Sequence, residues 1–259
     1  MKTNLFFFVC WILISFSVMG QDNGKKILSI RADEWCPFNC DPKGQLPGYM
    51  VEVVKEILEP KGYQIDYQIW NWARAIHDAK LGKIDAIIGA GKEDAEGFFL
   101  PKEPQGLTQY SLFGLKESKW RYENEKSLDG VKLGMISNYS YDEGSNDLQK
   151  KKHPSLEFVS SEQPLLQLIR LLQSKRIVAF VESNYVLDYF VKTRDIKVKL
   201  KNLGQIKPNS QELFLAISPK YPAGKELSEI ISEGTESLRK TGKLQRILKK
   251  YGLKDWRSK

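Results

Sequence analysis

WARAIHDAKLGKIDAIIGA, residues 72–90, decides how the rest of the chain is read. Residues 72–82 predict a short helix closed by Gly82, and IDAIIGA (84–90) predicts a buried strand, too apolar to face water. Upstream, KILSIRA (26–32) is apolar and β-branched, a second buried strand. GYMVEVVKEILEPKG follows it with Met50, Val53, Val54, Ile57 and Leu58 at helical spacing and Pro60-Lys61-Gly62 as the stop. YQIDYQI (63–69) then alternates as a half-buried strand does. Strands and helices alternating at these distances mean βαβ units and a largely parallel sheet.

The arrangement recurs downstream without a sequence repeat. VKLGMI (131–136), LEFV (156–159) and RIVAFVE (176–182) predict strands. Helices are expected near 141–151, over PLLQLIRLLQSK (164–175) and over SNYVLDYFVK (183–192), the last with Ser183 as N-cap. LFLAIS (213–218) predicts another strand, with two helices within 222–251, where Leu244, Ile247 and Leu248 make an apolar stripe. With connecting strands near 112–117 and 205–217, the chain reads as two α/β lobes and a cleft. Small ligands usually bind in such clefts, at the C-terminal ends of parallel strands.

Residues 1–20, MKTNLFFFVCWILISFSVMG, have a basic start, an apolar middle and a small residue before polar Gln21. That is the layout of a cleaved secretory signal, cut near Gly20, and the apolar run is short for a membrane span. Its loss removes Lys2 and no acid, taking the formal charge from +8 to +7. The charges are interspersed, and the basic C-terminal stretch reads as the solvated face of an amphipathic helix. The chain carries no zinc-finger or RNA-binding signature, no phosphate-cradling glycine loop and no Ser/His/Asp arrangement. Its only histidines, His77 and His153, make a metal centre improbable.

PGYMVEVVKEIL (47–58), W-x-RAI-x-x-A-x-x-GKIDAIIGA (72–90), FFLPKEPQG (98–106) and LGMISNYSY (133–141) occur in that order. SKRIVAFVESNYV (174–186) and LRKTGKLQRILKKYGLKDW (238–256) follow. Through these six stretches the chain resembles the extracellular solute-binding proteins of family 3, the substrate-binding type of polar amino-acid ABC transporters. The resemblance implies the type II periplasmic-binding fold, α/β, with two Rossmann-like lobes of mainly parallel sheets joined by two crossovers. Lobe 1 would hold 24–114 plus 207–259, and lobe 2 would hold 115–206. It also implies a periplasmic monomer, without cofactor or metal, that closes on a small polar ligand. An ABC-transporter permease or a membrane sensor would receive the ligand; nucleic acid would not be a partner.

The resemblance also carries ligand-binding expectations. In amino-acid binders of this family an arginine after the third strand clamps the ligand carboxylate, as its planar fork allows. Here Gly97 stands near that place, and no arginine lies between Arg74 and Arg121. Gly91 and Lys92 of the loop GAGKEDAEG, and Arg74, are the substitutes, unless Lys92 is a solvated loop residue and Arg74 pairs with Asp78. Tyr139, Ser140 and Tyr141 match a segment that accepts an anion where a helix opens. Glu182, or Ser183 beside it, matches an acid that pairs with a ligand ammonium. Trp35, Phe38 and Trp72 would wall the pocket, while Trp70 reads as core.

EWCPFNC (34–40) raises a metal knuckle, a redox centre or a staple as alternatives. Cys10 leaves with the signal, so Cys36 and Cys40 remain as a pair in an oxidising compartment. The spacing is not that of thioredoxin-like motifs, and further metal ligands are lacking. The pair is therefore expected to be a local disulfide holding Trp35 and Phe38 at the cleft rim. The chain is expected to bind rather than to catalyse, with no catalytic residues. The alternative is a dehydratase-like lyase of the same fold using Glu182 or His77.

Overall fold

The computed structural model describes residues 26–194 and 196–257. The expected signal sequence and its cleavage point lie outside these residues.

Two five-stranded sheets organise the chain. The first begins with β1 (Lys26–Ala32), which buries Leu28, Ile30 and Ala32. Helix α1 (Tyr49–Leu58) turns Met50, Val53, Val54, Ile57 and Leu58 inward, as their spacing requires. β2 (Tyr63–Ile69) pairs in parallel with β1 along its whole length. Helix α2 (Trp72–Lys80) opens with the Asn71 side chain accepting from the Arg74 amide, and Gly82, at φ 74°, ends the turn after it. β3 (Ala86–Ala90) follows, pairing in parallel with β1. β4 (Gly106–Thr108) and β10 (Gln211–Ile217) complete the sheet in the order β2-β1-β3-β10-β4.

The second sheet repeats the plan. It contains β5 (Tyr110–Leu115), β6 (Leu133–Ile136), β7 (Leu156–Val159), β8 (Ala179–Ser183) and β9 (Leu200–Asn202), in the order β7-β6-β8-β5-β9. Helices α3 (Glu143–Lys150), α4 (Pro164–Gln173) and α5 (Asn184–Thr193) connect or follow its strands. Ser183 caps α5, its side chain accepting from the Val186 amide. Helices α6 (Gly224–Lys240) and α7 (Lys243–Lys250) return to the first sheet and pack with α1.

The two sheets are mixed. β2, β1 and β3 run parallel, as do β7, β6 and β8. The strands by which the chain changes sheets, β10 beside β3 and β4 and β5 beside β8 and β9, pair antiparallel. A strand arriving from the other sheet has no crossover helix to reverse it, so it enters in the opposite direction. The chain passes between sheets twice, at Gln109 and between Asn202 and Gln211. The C-terminal ends of the parallel strands, β1, β3, β6 and β8, therefore surround one cleft.

The C-terminus is tied back by charge. Arg239 pairs with Glu103 at 2.6 Å and Asp255 at 2.7 Å, and Arg257 pairs with Glu103 at 2.7 Å. Glu103 is 4% exposed, and a carboxylate so deeply buried needs such partners.

Candidate functional site

The loop after β1 builds one wall of the cleft. Cys36 and Cys40 are joined by a disulfide, with Cα atoms 4.9 Å apart. Between them the chain folds into a tight turn: the Trp35 amide donates to the Asn39 carbonyl at 2.8 Å, and the Phe38 amide to the Trp35 carbonyl at 3.1 Å. The carbonyls of Pro37 and Phe38 accept from the amides of Tyr49 and Met50, which satisfies the opening of α1 and fixes the loop to it. Phe38 is 1% exposed and lies behind Trp35, ring centroids 4.5 Å apart. Both rings are buried rather than set at a rim, because the loop turns them into the molecule.

Asn39 occupies a space made by two glycines. A Cβ on Gly48 would come within 2.5 Å of the Asn39 Cα, and one on Gly89 within 2.5 Å of its Oδ1. Both glycines sit at positive φ, 108° and 84°, where side chains are rarely tolerated. The Asn39 Nδ2 donates to the Asp33 carbonyl at 2.7 Å, which fixes the amide's orientation, and Oδ1 has no partner. Asn39 is itself 1% exposed.

From the second sheet, Glu182 at the end of β8 faces this wall. Its Oε1 accepts from the Ser183 amide at 2.7 Å and from the Trp35 Nε1 at 3.3 Å, a contact that joins the two lobes. Glu182 is 2% exposed, and burial pushes its carboxyl up to about 7. Burial likewise pushes Asp33 up to about 7, with Glu182 and Asp94 adding to the effect. Asp33 Oδ2 is inaccessible and unpartnered. Asp94, in the loop after β3, is also raised by burial, although bonds from Ser140, Gly91 and Trp72 oppose the shift.

A narrow cavity of about 20 Å³ lies between these groups, with Asp33, Asn39, Asp94 and Trp72 on one side and Tyr110, Tyr139 and Ser140 on the other. On the far side of Trp35 and Tyr139 is a larger cavity of about 690 Å³, bordered by Glu182, Leu165 and Phe190. Glu34 and Arg194, which also line it, form an exposed ion pair at 3.4 Å. Glu93 of the first lobe also meets Asn146 of α3.

The sequence-assigned residues divide accordingly. Trp35, Trp72, Gly91, Tyr139 and Ser140 line the narrow cavity, and Glu182 lines the larger one. Phe38 and Tyr141 stand behind the lining: the Tyr141 hydroxyl accepts from the Ile136 amide at 2.7 Å, and its ring meets Tyr110 edge-on at 5.3 Å. Arg74 and Lys92 point elsewhere. Arg74 pairs with Asp78 at 3.4 Å and lies over the Trp70 ring at 4.5 Å. Lys92 is exposed and pairs with Glu212 at 2.7 Å. His77 is exposed on α2 beside Asp78. At β8 the roles of Glu182 and Ser183 separate: Glu182 faces the cavity, and Ser183 caps the helix while its Oγ accepts from Thr108 Oγ1 at 2.8 Å.

Asp33, Asn39, Asp94 and Tyr110 were not singled out by sequence. Asp33 carried a readable signal, since it directly follows a buried strand of a parallel set, and Asp94 a weaker one, in the loop four residues past the end of β3, where ligand groups gather. Asn39 carried none, because only the folded loop buries it.

Among solved structures, an ancestral arginine-binding protein bound to arginine is similar at 18% identity, TM-score 0.72, over 88% of this chain and 99% of that one. A histidine kinase sensor domain with similarity to periplasmic binding proteins has 21% identity, TM-score 0.72, over 89% and 97%. The arginine-, lysine-, histidine-binding protein ArtJ from Geobacillus stearothermophilus has 20% identity, TM-score 0.69, over 90% and 97%. At these identities the likeness establishes the type II periplasmic-binding fold. Compared by sequence with curated proteins, the chain has no match. The family model for bacterial extracellular solute-binding proteins, family 3, matches residues 28–254, nearly all that the two lobes comprise, and the chain belongs to that family.

Proposed function

We propose that this chain is an exported, non-enzymatic binding protein. It captures a small polar solute, an amino acid or a related compound, between the lobes by hinge closure. The complex then delivers the solute to an ABC transporter or a membrane sensor. The chain works as a monomer in the periplasm after losing its first twenty residues, and it needs no cofactor. The observation that carries this reading is the cleft itself, where Trp35 of one lobe reaches Glu182 of the other around unpartnered polar atoms. The two crossings of the chain, at Gln109 and between Asn202 and Gln211, are the hinge: a few connecting residues absorb the rotation of two rigid sheets. The likeness to a histidine kinase sensor domain supports the sensor outlet, and the likeness to arginine-binding proteins supports an amino acid or related compound as the solute.

A thermal-shift screen against amino acids, amines and organic acids tests the reading. A solute at 100 times its Kd should stabilise the protein by about 2.7 kcal/mol. For a chain of this size that is roughly 5–11 °C. No shift from any solute, together with salt-sensitive binding to DNA or lipid, would contradict it. Turnover without a stable complex would favour a lyase centred on Glu182, whose raised pKa suits a general acid or base.

A further inference from the structure

Three groups of N–H donors around the cleft each already hold a carboxylate of the chain. In the loop after β3 the Gly91 amide donates to Asp94 Oδ2 at 3.3 Å. At the N-terminus of α3 the Ser145 amide and hydroxyl donate to Asp142 at 3.1 and 2.7 Å. At the end of β8 the Ser183 amide donates to Glu182 at 2.7 Å. No Lys, Arg or His lines the narrow cavity. Lys92 and Arg74, the residues expected to replace the missing clamp, are engaged with Glu212 and Asp78. An incoming carboxylate would therefore meet the buried acids Asp33 and Asp94 with no cationic group to offset them.

The buried atoms of the cavity that lack a partner are both acceptors, while the donors on its wall, Ser140, Trp72 and the Gln211 amide, are uncharged and the first two already bond Asp94. Asn39 Oδ1 is buried without a donor, in a side chain 1% exposed that lines the cavity, and Asp33 Oδ2 is buried without one beside it. A buried acceptor left unsatisfied is costly, and an N–H-bearing cation would satisfy both. Trp35, Trp72, Tyr110 and Tyr139 surround these atoms. Aromatic faces attract ammonium and guanidinium groups, which links the walls to the same charge. Among the described residues no three potential metal ligands come together, so the acids are spread as for an extended organic cation rather than a metal ion.

We infer that the solute is an organic cation lacking a carboxylate, an alkyl amine or guanidine, whose charged end donates to Asp33 and Asn39 between Trp35 and Trp72. This rests on the solute-binding reading above and narrows its ligand.

Matched pairs that differ only in the carboxylate test it: agmatine against L-arginine, and 1,4-diaminobutane against L-ornithine, by isothermal titration of the full mature chain at pH 8. The decarboxylated member of each pair should bind roughly tenfold or more tightly than its amino acid. Asp33→Asn should weaken agmatine binding by a similar factor while keeping the fold, checked by circular dichroism and Tm. Amino acids binding as well as or better than their decarboxylated partners would overturn the inference and leave the solute-binding reading standing. So would an unchanged agmatine Kd in a folded Asp33→Asn protein. If neither these probes nor the wider screen bind, the solute-binding reading falls and the inference with it.

Discussion

At the residue scale, Asp33 and Glu182 differ from ordinary surface acids because the loop after β1 and the end of β8 enclose them. Both carboxyls are pushed up to about 7 by burial. A folded-state pKa above the unfolded value means the folded protein holds protons the unfolded chain has lost. These two groups therefore add stability that is fully present below about pH 4 and is lost as pH rises through about 7. A cation favours the ionised forms, so its binding should strengthen from pH 5 to pH 8 and release protons. Titrations in buffers of different ionisation enthalpy would measure that release. Asp33→Asn should flatten the dependence, and a flat profile in the unmodified protein would refute the assignment. Such behaviour was not legible in the sequence, because it depends on Trp35, Asp94 and Glu182 arriving from three separated segments.

At the element scale, most of the secondary structure was legible. KILSIRA, YQIDYQI and LEFV form strands over the residues read from their patterns, and Ser183 caps α5 as expected. Boundaries moved where turns intervened: β8 starts at Ala179 rather than Arg176, because Lys175 turns back at φ 59° to end α4. Strand direction at the crossovers was not legible, since it depends on partners distant in sequence. The 34–40 loop shows local chemistry fixing a functional element. A disulfide closing so short a loop contributes about 2 kcal/mol, by the entropy of the open chain. Replacing Cys36 and Cys40 together by serine should lower Tm by roughly 4–8 °C, read by differential scanning calorimetry. Ligand affinity should also fall, because Trp35 and Asn39 are held by that turn. Unchanged affinity would mean the hydrogen bonds to α1 position the loop unaided.

At the scale of the whole molecule, the two sheets bring four strand ends to one cleft, and the contacts across it are side-chain contacts, both polar and aromatic, such as Glu93–Asn146 and Phe38–Tyr185. Trp35–Glu182 and Glu34–Arg194 cross between lobes, and exposed pairs of the latter kind are worth little. Such an interface can open, admit a solute and close, with the solute supplying the differential contacts that favour closure. The resemblance carried by six stretches anticipated this architecture. It did not anticipate that Asp94 would accept from the Gly91 amide in the loop where the family's arginine clamp is expected. A crystal structure of the protein with the tightest-binding solute tests the account most directly. The account predicts density between Trp35 and Trp72, with a cationic nitrogen within hydrogen-bonding distance of Asp33 and Asn39. A solute seated in the larger cavity beyond Trp35, or touching neither residue, would contradict it.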